Sequence, residues 1–321
     1  MNPTSAPADA PPADPRLAAV RAGVEKVFVG KASVVRQVLI GLLSGGHLLV
    51  EDVPGVGKTT LARALARCAG GTFSRIQFTP DLLPSDVVGA SVWDANRAVF
   101  EFRPGPVFAN VVLADEINRA TPRTQAALLE SMGEGQVSVD GTTHPLPRPF
   151  LVIATQNPHE FEGTFPLPES ELDRFQMRLR IGYPTPDEER RILHGQDDPE
   201  ALGRLEPALD GPGVLALQER TRKVRVEDSV AGYVLRITGE TRRSPSLSLG
   251  ASPRASAMLY RAAQALAVVE GRDYVLPDDV KRLAVSVLAH RIVSRAAPAG
   301  EGPDDREDVV RRILESVEAP A

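Results

Sequence analysis

The chain has 321 residues, 42% of them hydrophobic and 25% charged, with a formal net charge of −5 at pH 7. Length allows two domains with real cores, and the acidic balance offers no general attraction to nucleic acid or to an anionic membrane. One cysteine, Cys68, excludes an intramolecular disulfide framework and fits a reducing, cytoplasmic compartment, and no run of 18 apolar residues predicts a membrane span.

The first 14 residues, MNPTSAPADAPPAD, lack a basic region followed by an apolar core and are not expected to be a signal peptide. Their Pro/Ala richness predicts a disordered tail. RLAAVRAGVEKVFVG has helical spacing and ends near Gly30; SVVRQVLIGLLSG predicts a second helix stopped by Gly45 and Gly46. HLLVE is a short apolar strand, and KTTLARALARCAG an amphipathic helix with Gly70 and Gly71 at its end. Strands and helices alternate to about residue 194, after which helices take over. The run 195–213, rich in Pro, Gly and acids, reads as a connection, and RRSPSLSLG as a polar loop. No internal repeat is present.

Between HLLVE and the helix lies EDVPGVGKTT, residues 51–60. It fits G-x-x-x-x-G-K-[ST] except that Asp52 stands at the first glycine. Strand, Gly-rich turn and helix are the context this phosphate-binding loop requires. Backbone N–H groups must point inward at phosphate oxygens, which Gly55 and Gly57 permit, and the helix N-terminus adds its dipole. Lys58 is placed to reach the β- and γ-phosphates, and the Thr59 hydroxyl to bind Mg²⁺. The residues expected to contact the nucleotide are Pro54, Gly55, Val56, Gly57, Lys58, Thr59 and Thr60. Asp enters left-handed backbone at modest cost, so Asp52 is expected to stand there with its carboxylate turned away, and Asp52→Gly to leave binding nearly unchanged. The alternative is a Gly/Pro turn that merely precedes Lys-Thr.

NVVLADEINRA reinforces the first reading. An apolar run ending in two acids fits a central parallel strand whose carboxyl end faces a ligand crevice. Asp115 at that place holds the Mg²⁺ hydration shell in phosphate-loop ATPases, and Glu116 is placed to polarise the attacking water. Surface capping is the bland alternative. Asn157 ends the next strand, FLVIATQNP, within reach of a γ-phosphate or the water, although Asn-Pro is also a common turn. Arg174 follows a short helix in PESELDRF and could simply pair with Glu171 or Asp173. In GASPRASAMLYRAAQALA, Ser252 predicts a helix cap, Pro253 the first turn and Arg254 an exposed cation at the helix start. A cation there opposes the dipole, for which an anionic phosphate is one reason.

Over residues 15 to 292 the chain resembles the MoxR family of AAA+ ATPases. The resemblance is carried by IQFTPDLLPSDVVG, DEINRATPRTQAALLESMGEGQV, VIATQNPHEFEGTFPLPESELDRF, GASPRAS and DYVLPDDVKRLAVSVLAHR. It implies a doubly wound parallel sheet of the phosphate-loop NTPase type with a smaller all-helical lid. The expected division is a tail over 1–14, an ATPase core over 15–183 and a lid over 184–321. It makes Gly55, Gly57, Lys58 and Thr59 the Walker A loop, Asp115 and Glu116 Walker B, Asn157 sensor 1, Arg174 the arginine finger and Arg254 sensor 2. It also implies ATP and Mg²⁺ as ligands, a homo-oligomeric ring, expected to be a hexamer, and a chaperone-like role in maturing protein complexes. A partner with a von Willebrand factor A domain often accompanies such proteins.

The resemblance gives roles to two loops. ASVWDANRAVFEFRPGPVFAN resembles the hairpin that this branch inserts in its second core helix. GQVSVDGTTHPL carries Asp140-Gly141 between alternating runs, a hairpin signal in its own right. In a ring both would face the pore or one surface, where partners are met; covering a sheet edge is the alternative. Two other classes share this core: a motor on nucleic acid or a chelatase-type subunit, and a nucleotide-controlled switch with little turnover. Basic stripes on the hairpins would favour nucleic acid, whereas the second hairpin is mostly neutral with Asp140, and no nucleic-acid partner is expected. The five histidines show no metal-ligand spacing.

Overall fold

The computed structural model describes residues 14–28, 30–53, 55–157, 163–191, 193, 199–295 and 305–320. The expected tail lies outside them except for Asp14, whose side chain caps the first helix by accepting from the Arg16 N–H. Helices α1 (Pro15–Val27) and α2 (Ala32–Ser44) lead into β1 (His47–Glu51) and α3 (Lys58–Cys68). Next come β2 (Phe73–Gln77), the short α4 (Pro84–Val88) and a hairpin of β3 (Gly89–Asp94) and β4 (Val99–Pro104). β5 (Val111–Asp115) and α5 (Pro122–Glu134) precede a second hairpin, β6 (Gln136–Val139) with β7 (Thr142–Pro145). The core ends with β8 (Leu151–Gln156), α6 (Glu169–Leu172) and β9 (Phe175–Leu179).

The five long-range strands form one parallel sheet in the order β2-β5-β8-β1-β9. Side chains alternate between two cores, as a period of two requires. Leu48, Val50, Leu113 and Ile153 face α1–α3 and the C-terminal helices, while Leu49, Val112, Ala114 and Val152 face α5 and the hairpins. All parallel strands end at the same edge, so the residues just after Glu51, Asp115 and Gln156 meet there. Both hairpins are where the sequence places them, and Asp140 and Gly141 take left-handed backbone in the second, as its tight turn demands.

The C-terminal region contains α7 (Pro186–Arg191), α8 (Pro199–Gly203), α9 (Gly211–Arg222), α10 (Asp228–Arg243), α11 (Pro253–Val269), α12 (Pro277–Leu288) and α13 (Asp305–Ser316). It is not purely helical. β10 (Leu247–Leu249) pairs antiparallel with β11 (Val293–Ser294), so RRSPSLSLG supplies the end of α10 and a strand rather than a loop. The expected connection 195–213 holds α8, and Ala208 and Leu209 donate backbone N–H to the Cys68 carbonyl, fastening it to α3. No helix among the described residues is long and apolar enough to cross a membrane.

Candidate nucleotide site

The loop after β1 turns into α3 through Gly55 and Gly57, with φ of +85° at both. A Cβ at Gly55 would meet open space, so its glycine answers to backbone angle alone, whereas at Gly57 it would come within 3.1 Å of the Phe28 ring. Pro54 lies outside the described residues; Val56, Thr59 and Thr60 are half-buried, Thr59 and Thr60 in the first turn of α3. Lys58 is half-buried, and its Nζ donates to the Asp52 carbonyl at 2.9 Å. Burial lowers the Lys58 pKa, opposed by the nearby charges of Asp115, Asp52 and Glu116. A lysine partly stripped of water, held by a backbone carbonyl within the field of nearby carboxylates, is attracted to a more anionic partner.

Asp52 differs from its expectation. It is not among the residues with left-handed backbone, and its carboxylate is fully engaged. Oδ1 accepts the Val53 N–H at 2.9 Å, and Oδ2 accepts the N–H groups of Ile181 at 2.5 Å and Gly182 at 2.6 Å. The residue thus ties the loop to the segment leaving β9. Its neighbour Glu51 accepts from Gln156 at 2.7 Å and from the buried Arg178 at 3.0 Å; Arg178 in turn holds Glu307 of α13 at 2.9 Å.

Beside the loop, Asp115 ends β5. Its Oδ1 accepts the Thr155 hydroxyl at 2.7 Å, and its Oδ2 holds Arg75 at 2.6 Å. The same Thr155 oxygen accepts the Glu116 N–H at 2.9 Å, so one hydroxyl aligns both acids. Glu116 has φ +56°, a conformation uncommon outside glycine, and its Oε2 accepts from Gln77 at 3.0 Å and pairs with Arg119 at 3.4 Å. Asn157 follows β8, which lies between β5 and β1, so it sits between the acids and the loop. Hard oxygen donors at Asp115 and in the first turn of α3 suit Mg²⁺, which binds through one or two protein oxygens together with phosphates and water.

Two expected site residues lie elsewhere. Arg174 immediately precedes Phe175, which pairs with His47 at the start of β1, whereas the loop leaves the end of that strand. Five residues of parallel strand, about 16 Å, separate those levels. Arg174 Nε lies 2.7 Å from Glu171 Oε2, and its Nη1 donates to the Leu129 carbonyl of α5 at 3.1 Å. Arg254 is exposed at the start of α11. That helix runs antiparallel to α2: Met258 accepts from Gln176 at 2.8 Å, while Glu270, just past its far end, pairs with Arg36 at 3.7 Å. At 1.5 Å per residue, Arg254 is about 24 Å from the end facing the loop. The structure therefore joins Lys58, Thr59, Asp115, Glu116 and Asn157, and puts Arg174 and Arg254 at the opposite edge.

Sequence reasoning missed Thr155, Gln77, Arg75, Arg119 and Phe28. A hydroxyl within the apolar run LVIAT was the available signal for Thr155. Nothing local marks Phe28 or the two β2 residues.

Sheet order, loop and paired acids define a phosphate-loop ATPase of the AAA class. Residues 47–177 match the model of the ATPase family associated with various cellular activities (AAA), and residues 239–313 that of the AAA lid domain. The chain is 50% identical over 297 residues to YeaC of Bacillus subtilis (strain 168), an uncharacterized protein, covering 92% of each chain. It is 46% identical over 309 residues to the protein named Chaperone MoxR1 of Mycobacterium tuberculosis, covering 92% of this chain and 80% of that one. A solved structure from Cytophaga hutchinsonii, described as a candidate ATPase, superposes with a TM-score of 0.87 at 38% identity over 96% of both chains. The chain belongs to the MoxR family of AAA+ ATPases.

Proposed function

We propose that the protein hydrolyses ATP in a Mg²⁺-dependent reaction and works as a head-to-tail homo-oligomeric ring, a hexamer by family resemblance, that remodels or matures protein complexes in the cytoplasm. The observation that carries this reading is the split of the cations. Lys58 stands with Asp115 and Glu116 at one edge of the sheet, and Arg174 and Arg254 stand at the other, beyond reach of their own loop. A heterologous interface brings one edge of each subunit to the opposite edge of the next.

Within a subunit, the backbone from Gly55 to Lys58 cradles the phosphates and Lys58 leaves the Asp52 carbonyl for the β- and γ-phosphates. Thr59 and Asp115 would hold Mg²⁺, which neutralises phosphate charge when bound. Glu116 takes a proton from the attacking water, and Asn157 orients that water or the γ-phosphate. Arg174 of one subunit meets the charge that develops on the transferred phosphoryl group in the next, an effect worth about 10³ to 10⁵ in rate; Arg254 binds the same nucleotide from the same side.

Two observations support a protein client, with a von Willebrand factor A domain protein the partner class the family suggests. The first hairpin exposes Trp93 and Phe100, 52% and 71% accessible and stacked edge-on at 5.1 Å. It is joined to the second hairpin by Phe102 stacked on His144 at 3.8 Å, so the two make one surface. Large exposed apolar groups of this kind mark protein contacts. Its charges are mixed, Asp94 and Glu101 against Arg97 and Arg103, and form no basic stripe for nucleic acid.

The test mixes Arg174→Ala, expected to bind ATP without turnover, with Lys58→Ala, expected not to bind it. In an equal random mixture about a quarter of interfaces pair a binding half with an intact finger, and ATPase activity should return. A mixture that stays inactive, although mixed rings form and wild-type chains diluted with Lys58→Ala stay active, would overturn the trans assignment.

A further inference from the structure

The contact between the lid and the amino end of β9 is built around a charge that the nucleotide loop does not use. Arg291, just after α12, has a side chain with no solvent exposure. Its Nε donates to Asp173 Oδ1 at 3.1 Å, Nη1 to the carbonyls of Gln176 (3.3 Å) and Val287, and Nη2 to the carbonyl of Phe175 and to Met258 Sδ at 2.5 Å. The Asp173 carboxylate also accepts the Ser252 hydroxyl at 3.1 Å, and that hydroxyl accepts the Ala255 N–H as the cap of α11. Burial lowers the Arg291 pKa to about 10, opposed by Asp173, so the guanidinium stays charged at neutral pH.

These bonds bracket two residues with one function in the reading above. Asp173 precedes Arg174 in the chain, and Ser252 stands two residues before Arg254. Arg291 grips the backbone on the other side of Arg174, at Phe175 and Gln176, and the Met258 sulfur one turn into α11. The planar guanidinium directs its donors at Asp173, Phe175, Gln176 and Met258, which fixes the relative placement of these groups.

We propose that Arg291 is a positioning residue: with Asp173 and Ser252 it joins Arg174 and Arg254 into one block, which each subunit presents to its neighbour's nucleotide. The proposal rests on the trans reading above. Its consequence is that a change at the Arg291 link moves both cations at the next subunit's site, while Lys58, Asp115 and Glu116 of the same subunit, which Arg291 does not touch, keep their places.

The test uses the complementing mixture with Arg291→Met on one partner at a time. On the Lys58→Ala chain, which donates the cations, it should lower restored activity at least tenfold. On the Arg174→Ala chain, which supplies only the nucleotide half, restored activity should stay within about twofold. Loss of equal size in both placements would show that Arg291 only stabilises the fold and would overturn the proposal. If Arg291→Met does not yield folded chains by thermal melting, Ser252→Ala and Asp173→Asn carry the same asymmetric comparison from the other end of the link. A silent mixture without any Arg291 change would refute the trans reading first, and the proposal with it. That result is distinguishable because the asymmetry is never reached.

Discussion

Asp52→Gly tests how the loop is anchored. In the structure the lost carboxylate leaves three N–H groups without their acceptor: Ile181 and Gly182, at 2.5 and 2.6 Å in the wild type, and the half-buried Val53, at 2.9 Å, which water can reach. Ile181 is buried, so its donor takes the full penalty for a missing charge-assisted bond, about 1.5–3 kcal/mol. Gly182 is only half-buried, and water recovers most of its bond, leaving on the order of 0.5 kcal/mol. The new glycine adds roughly 0.5–1 kcal/mol through the unfolded chain. Asp52→Gly should therefore lose about 3 kcal/mol in equilibrium urea unfolding, and Asp52→Asn, which keeps one acceptor oxygen, about half as much. ATP affinity by calorimetry should fall, because the Asp52 carbonyl and the turn beside it place Lys58. An Asp52→Gly protein within 0.5 kcal/mol of wild type and with unchanged affinity would refute this account and restore the view of position 52 as a tolerant one.

Glu116→Gln should bind ATP with near-normal affinity and turn it over at least a hundredfold more slowly, since a general base contributes about 10² to 10⁴; substantial turnover would assign the base elsewhere. Acid should destabilise the fold through His47, whose Nδ1 accepts the Val152 N–H at 3.0 Å and whose Nε2 lies 3.1 Å from the Met132 carbonyl. Burial holds its pKa down to about 4. The unfolded chain takes up the proton first, so this contribution is complete above pH 6.5 and is lost as pH falls from 6.5 to 4, up to about 3 kcal/mol. His47→Gln should make the pH dependence of unfolding shallower by about 1 kcal/mol per unit in that window. It should not abolish it, because buried His290 is shifted in the same direction; an unchanged slope would remove His47 from the account.

Most of the fold was legible because its signals are local. HLLVE, the Gly-rich loop and KTTLARALARC carry strand, turn and helix within 22 residues, and VVLADE ends an apolar strand on its acids. The ends of parallel strands then bring loop, Asp115, Glu116 and Asn157 to one edge without further information. What stayed hidden depends on distant partners. RRSPSLSLG is a strand only because Val293 and Ser294 come back to it. The backbone preferences of Asp52 describe only its own turn, whereas its role lies with amides 129 and 130 residues later. Arg178, in a fully buried strand, is tolerable because Glu51 and Glu307 both pair with it. The helix-start position of Arg254 points to a phosphate, and only the antiparallel course of α11 along α2 shows that its own phosphate loop is at the other end.

Arg174 brings the local and the distant together. Its Nε and Glu171 Oε2 are 2.7 Å apart, yet the pair forms no well-directed hydrogen bond, and the two side chains remain 30% and 25% exposed. A partly exposed ion pair contributes only about 0.2–1 kcal/mol. The bond from Nη1 to the Leu129 carbonyl adds about 1 kcal/mol more. Releasing Arg174 from this resting position thus costs roughly 1–2 kcal/mol, small beside the 4–7 kcal/mol that a rate factor of 10³ to 10⁵ represents. Glu171 holds the guanidinium in an anionic setting while the backbone beneath it is fixed by Asp173 and Arg291. If Arg174 serves a neighbouring subunit as proposed, exchange of that carboxylate for the neighbour's phosphoryl group is a side-chain movement rather than a refolding of the edge.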